Sequence, residues 1–206
     1  MRVLYIDTSS SYLYTGIVED GQLLEEIKED YSHELSKYAL PKIASIFEST
    51  NLKPSDIDKI IVVNGPGSFT GIRIGLTIAK VYAWSFHIPI TTITSLEAMA
   101  CSISSDMVKV PIIDARRNYS YVAIYDNNKV VQQPVYISND ELVNILSKQR
   151  EYIFITNDDI SLDGKKCSYT PDIQNIVKTF VDKEEINPHA VNPNYLKLTE
   201  AEESRL

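Results

Sequence analysis

The 206-residue chain has only two cysteines, Cys101 and Cys167, and no C-x-x-C pair, which predicts free thiols rather than a disulfide or a redox couple. No apolar run approaches the ~20 residues that span a bilayer. The opening Met1-Arg2-Val3-Leu4-Tyr5-Ile6 meets Asp7 too early for a signal peptide. The expectation is a protein with no membrane association and a cytoplasmic location. Positive charge is scarce: 20 Lys and Arg stand against 28 Asp and Glu, for a net charge of -8. That balance argues against a large footprint on nucleic acid, which needs a basic face to displace counterions. Arg116-Arg117 is a local exception. The lysine of a Walker A loop is missing, and Gly71 comes one residue too late for G-x-G-x-x-G.

What is present is 44% apolar residues, enough for a real core, and one conspicuous stretch, Gly65-Pro66-Gly67-Ser68-Phe69-Thr70-Gly71-Ile72-Arg73-Ile74-Gly75-Leu76. Ile60-Ile61-Val62-Val63 leads into it, and an amphipathic segment from Thr70 to Phe86 follows. This is the pattern of a buried strand, a glycine turn and a helix, with Ser68 or Thr70 as cap. Such a turn can hold an anion; spacing alone favours close helix–strand packing.

Along the chain, Val3–Ile6, Tyr12–Val18 and Leu23–Glu29 predict a three-strand meander, with Asp20-Gly21 as a hairpin turn. Ser32 is a candidate cap for a helix over 35–47. Pro41, inside that helix, predicts either a late start near Leu40 or a kink. A strand at 59–64, the glycine turn and its helix, a strand at 90–93 and a helix capped at Ser95 complete the first half. Residues 102–109 are the boundary, giving halves of 1–104 and 105–206. The second half opens like the first: a strand ending in Asp114, a polar turn, a strand to Tyr125, a turn at Asp126-Asn127-Asn128, and a strand over 129–137. A helix capped by Ser138 or Asn139, a strand over 152–156, an irregular stretch 157–172 and a helix over 174–181 follow. Tyr195-Leu196 anchors a loop-like tail. The chain thus predicts an α/β fold built from a structural repeat, the second copy shortened.

The residues also carry a resemblance. Ile6-Asp7-Thr8-Ser9, Ser32-His33 ahead of Leu40-Pro41, the Gly65–Leu76 block, Asp114-Ala115-Arg116-Arg117 and Pro193-Asn194-Tyr195-Leu196 together resemble the TsaB (YeaZ) family of the tRNA threonylcarbamoyladenosine system. The resemblance implies the actin/Hsp70/sugar-kinase (ASKHA) fold of two RNase-H-like subdomains. It also implies a non-catalytic subunit that activates a metal-bearing TsaD-like transferase. A TsaE-like ATPase would join through the complex, and tRNA would be met only indirectly. A homodimer is a further expectation.

For chemistry in the chain itself, the residues give little. His33, His87 and His189 form no H-x-x-x-H pair, so no metal site is expected. Asp7 and Asp114 end equivalent strands, but their loops lack the glycines that let backbone approach phosphate. Turn-capping is therefore the favoured role for both. No cofactor is expected; a weak nucleotide contact through Asp7, Thr8, Ser9, Gly65, Gly67 and Ser68 stays open. Adjacent Ser32 and His33 do not face each other and make no nucleophile pair. The helix over 70–86 is apolar nearly all round, which predicts burial on two sides. With the family's partner in mind, Ile43, Phe47, Ile72, Ile74, Ile78 and Tyr82 are the expected interface. The rivals are an ATP-dependent phosphotransferase of the same superfold and a tRNA-binding module.

Overall fold

In a computed structural model, the chain is described over residues 1–126 and 129–197, with His33 by its backbone alone. Strands β1 (Arg2–Asp7), β2 (Tyr12–Glu19) and β3 (Gln22–Asp30) form the meander, and α1 (Leu35–Thr50) follows. Then come β4 (Lys59–Val63), α2 (Phe69–Phe86), β5 (Ile90–Ile93) and α3 (Ser95–Ser102). The second half holds β6 (Val108–Asp114), β7 (Tyr119–Asp126), β8 (Lys129–Ser138) and α4 (Asn139–Leu146). It ends with β9 (Tyr152–Ile155), β10 (Lys165–Cys167) and α5 (Ile173–Phe180).

Two five-stranded sheets share one plan, β3-β2-β1-β4-β5 and β8-β7-β6-β9-β10. In each, three antiparallel strands continue into two parallel ones. The repeat is therefore real, and its shortening has a location. The β4–β5 crossover carries α2, whereas residues 156–164, between β9 and β10, carry no helix.

Strand periodicity explains the layers. In β1, Leu4 and Ile6 face one side with Ile60 and Val62 of β4, under α1 and α2. Val3 and Tyr5 face the other side, against Ala98 of α3 and Ile173, Ile176 and Val177 of α5. Both faces are covered, so these strands read as continuous apolar runs. Leu96, Met99 and Ala100 of α3 also pack on Ala123 and Tyr125 of β7. The order is α1 and α2, first sheet, α3 and α5, second sheet, α4, the last packing through Leu142 and Leu146. At 20–21 the hairpin turn has both residues at positive φ, as a type I′ turn requires.

Several local expectations are corrected. Ser32 does not cap a helix: it sits at φ 45, and its N–H donates to the Asp30 carboxylate at 2.8 Å. The helix does not start late near Leu40. It begins at Leu35 with Pro41 inside, because Leu35 and Ala39 bury against Leu13 and extend the docked face past the proline. Helix α3 is capped by Thr94 in a capping box with Glu97, while Ser95 donates to the Pro66 carbonyl at 2.6 Å. Residues 157–172 contain β10, too short and too lysine-rich to show as a strand in sequence. Asn127, Asn128 and the tail from 198 lie outside the described residues.

Candidate functional site

The strand-end acids behave as turn caps. Asp7 is buried; its Oδ1 accepts the Ser9 N–H at 2.8 Å and its Oδ2 the Tyr5 hydroxyl at 3.3 Å. Burial raises its pKa, partly opposed by these bonds. Asp114 repeats the turn in the second half, accepting the Arg116 N–H at 2.9 Å, and stays exposed. Arg116 and Arg117 both adopt positive φ in this turn and are exposed.

The glycine block is filled by the chain itself. A Cβ on Gly71 would lie 2.1 Å from the Thr8 carbonyl oxygen, and one on Gly67 2.2 Å from that of Ser9. The Ser68 N–H donates to Ser9 O at 2.7 Å, Thr8 Oγ1 to Gly71 O at 2.8 Å, and Ser68 Oγ accepts from Gly71 N–H. The glycines therefore let α2 seat closely on the turn after β1.

A cleft of about 420 Å³ opens between the halves. Ser9, Gly67 and Ser68 line one side, Asp114 and Asp158 the other, with Tyr12, Tyr14, Tyr121 and Tyr169 around them. Asp7, Thr8 and Gly65 are not on its wall, so the six nucleotide candidates split into a lining trio and a buried trio. Among the described residues, the lining contains no Lys, Arg or His. Its charge suits a neutral or cationic group better than a triphosphate. Burial holds the Tyr14 and Tyr169 phenols well above their usual pKa, so both stay protonated. Among the described residues, no three His, Cys, Asp or Glu side chains gather as a metal site. Cys101 and Cys167 are free thiols, both pushed up in pKa by burial.

The helix face differs from expectation in its residues. Ile43, Phe47 and Ile72 point inward, packed in the core beneath α1 and α2, and present almost no surface. Ile74 and Ile78 are half-buried between the helices, and Tyr82 meets the Phe47 ring edge-on at 6.0 Å. The outward apolar residues are Leu40 (50% exposed), Phe69 (55%), Val81, Trp84 (65%) and Phe86. Sequence patterning marked this helix as apolar nearly all round, which did not separate Val81, Trp84 and Phe86 from the core set. Phe69 and Leu40 carried no periodic signal. A groove of about 470 Å³ runs between the helices, lined by Ser36, Leu40, Phe69, Thr70, Arg73, Ile74, Thr77 and Ile78. From the far end of the chain, Tyr195 stacks on Phe69 with centroids 5.3 Å apart. The Gly65–Leu76 and Pro193–Leu196 motifs thus meet in space.

Residues 27–203 match the family model described as TsaD, tRNA N6-adenosine threonylcarbamoyltransferase. The chain is 32% identical to the tRNA threonylcarbamoyladenosine biosynthesis protein TsaB of Bacillus subtilis, over 98% of this chain and 96% of that one. It is 30% identical to the Escherichia coli protein of the same name, over 63% of this chain and 57% of that one. Among solved structures, YeaZ from Pseudomonas aeruginosa superposes with a TM-score of 0.79 at 18% identity, covering 95% of this chain and 99% of that one. A second Pseudomonas aeruginosa structure, described as similar to the peptidase YEAZ, gives a TM-score of 0.81 at 17% identity with the same coverage. These two likenesses establish the fold.

Proposed function

The chain belongs to the TsaB family of tRNA threonylcarbamoyladenosine biosynthesis proteins, and from that premise we propose that it is the non-catalytic subunit that binds and activates a TsaD-like transferase. The end-to-end match to the Bacillus subtilis protein carries this reading. The contact is the outward face of α1 and α2, where Leu40 and Phe69 stand exposed on the groove wall and Val81 and Trp84 stand exposed farther along α2. Of the residues expected from sequence, Ile74 and Ile78 line the groove, and Tyr82 lies farther along α2 against Phe47. A TsaE-like ATPase joins through the complex, tRNA is met indirectly, and the work is done in the cytoplasm. The chain needs no cofactor of its own.

We read the layer order and the doubled sheet plan as the actin/Hsp70/sugar-kinase arrangement, with RNase-H-like subdomains over 1–104 and 105–206. In phosphotransferases of that superfold the cleft between halves takes a metal nucleotide. Two features speak for the subunit role over that rival. The glycine turn is packed against Thr8 and Ser9, and among the described residues the cleft wall carries two carboxylates and no cation. Nucleotide contact, if Ser9, Gly67 and Ser68 make one, is therefore weak.

The test is light scattering on the chain alone and mixed with a TsaD-like protein from the same source. A stoichiometric heteromer that is lost in Leu40→Glu, with the variant's melting temperature unchanged, is expected. A chain that ignores the transferase, or a Leu40→Glu variant that still assembles, overturns the proposal.

A further inference from the structure

We infer that Arg73 is a preset receptor for a carboxylate of the TsaD-like partner, and that this cation makes the groove select that partner over a second copy of the chain. The inference rests on the reading of the α1/α2 groove as the partner face. Arg73 is exposed on α2. Its guanidinium carbon lies 3.8 Å from the centroid of the Phe69 ring, and its Nε donates to the Tyr195 hydroxyl at 2.9 Å. Tyr195 is itself stacked on Phe69. These contacts fix a side chain that would otherwise lose rotamer freedom on binding. They leave both terminal nitrogens for a planar, two-oxygen acceptor. None of the ion pairs among the described residues includes Arg73.

Delivery of Tyr195 depends on the whole chain. Asn194 N–H donates to Asn64 O at 2.7 Å, and Lys80 Nζ donates to Val191 O at 3.0 Å, so the tail is strapped along the first half before it reaches α2.

Charge decides between the two occupants. Among the described residues, Arg73 is the one charged residue on the groove wall, amid hydroxyl and apolar groups. In a two-fold dimer the same patch faces itself, so the described residues of that wall in a second copy would offer Arg73 no carboxylate. Glu34, just before α1, is already paired with Lys37 at 3.3 Å, and Glu48 lies about two turns beyond Leu40. A cation desolvated without a partner opposes association, whereas a different chain can supply the acid.

The test is calorimetric titration of a TsaD-like protein from the same source with wild type, Arg73→Ala, Arg73→Lys, Tyr195→Phe and Leu40→Glu, alongside light scattering of each chain alone. Arg73→Ala should weaken the heteromer at least about 30-fold, as expected for truncating one member of a desolvated pair. Arg73→Lys, which keeps charge but loses the fork, should not restore it. Tyr195→Phe, which keeps the stack but removes the Nε acceptor, should fall between, and self-association should not weaken in any Arg73 variant. Melting temperatures check that each chain folds. Arg73→Ala binding within threefold of wild type while Leu40→Glu abolishes the complex would overturn the inference and leave the interface standing. So would a loss seen only when tRNA or ATP is added, since the acceptor would then be phosphate. If Leu40→Glu also binds normally, both the inference and the interface fall.

Discussion

Gly71→Ala isolates what the glycine block is for. The added methyl would start 2.1 Å from the Thr8 carbonyl oxygen, a backbone atom held in the turn after β1. Relief requires α2 and the turn to separate by about 1 Å, which forfeits close packing along the contact. Overpacking of this kind costs about 1–3 kcal/mol, and the upper end applies where backbone meets backbone. The shift also stretches the buried Thr8 Oγ1–Gly71 O bond of 2.8 Å, worth about 1 kcal/mol. Against this, alanine is a better helix former than glycine by about 1 kcal/mol. The net is a destabilisation of about 3 kcal/mol, or roughly 6–12 °C in melting temperature for a chain of this size. Urea unfolding and calorimetry of the two proteins measure it. Gly21→Ala is the control: its φ is +80 but nothing lies within 4 Å of the new methyl, so only backbone strain of about 1 kcal/mol is expected. A Gly71→Ala protein as stable as wild type would refute the packing account and reopen the anion cradle.

Asp7→Asn should be neutral to stabilising at pH 7, because Asn keeps the Ser9 N–H acceptor and removes a buried charge. The native pKa of Asp7 is raised, so ionisation costs stability above it. That cost fades as pH falls through the raised value toward the ordinary 3.8. The stability gap between variant and wild type should shrink over that window, and a constant gap in urea midpoints from pH 7 to 4 would contradict the assignment. Ile43→Glu, unlike the surface change Leu40→Glu, places an unpaired charge in the core and should leave little folded protein by circular dichroism. Thr94→Ala removes the α3 capping box and should lower stability by about 1 kcal/mol, with a melting drop of roughly 2–4 °C; no drop would mean that Ser95, or the ion pair that Glu97 makes with Lys183 at 2.9 Å, holds the helix end.

The fold was largely legible because its signals are periodic. Val3–Ile6 and Ile60–Val63 are apolar on both faces and could only be buried strands. Asp20-Gly21 fixed a hairpin, and the repeat of a strand ending in Asp exposed the doubled plan. Caps were less legible, since Ser32, Ser95 and Thr94 offer the same hydroxyl, and only tertiary contact decides which one faces a helix N-terminus. Pro41 misled for a related reason: docking of Leu35 and Ala39 outweighs the local cost of proline. At the proposed partner face the helix pair was evident, but its outward side was not. An all-apolar helix gives no phase, so Ile43 and Ile72 looked as available as Leu40 and Trp84. The Phe69–Arg73–Tyr195 cluster joins positions 122 residues apart, and no local pattern announces it.

The most direct measurement is formation of threonylcarbamoyladenosine on tRNA by a TsaD-like transferase from the same source, reconstituted with this chain or with its Leu40→Glu variant. The account predicts modification only when the wild-type chain is present and little with the variant. Full activity without the chain, or equal activity with Leu40→Glu, would contradict it.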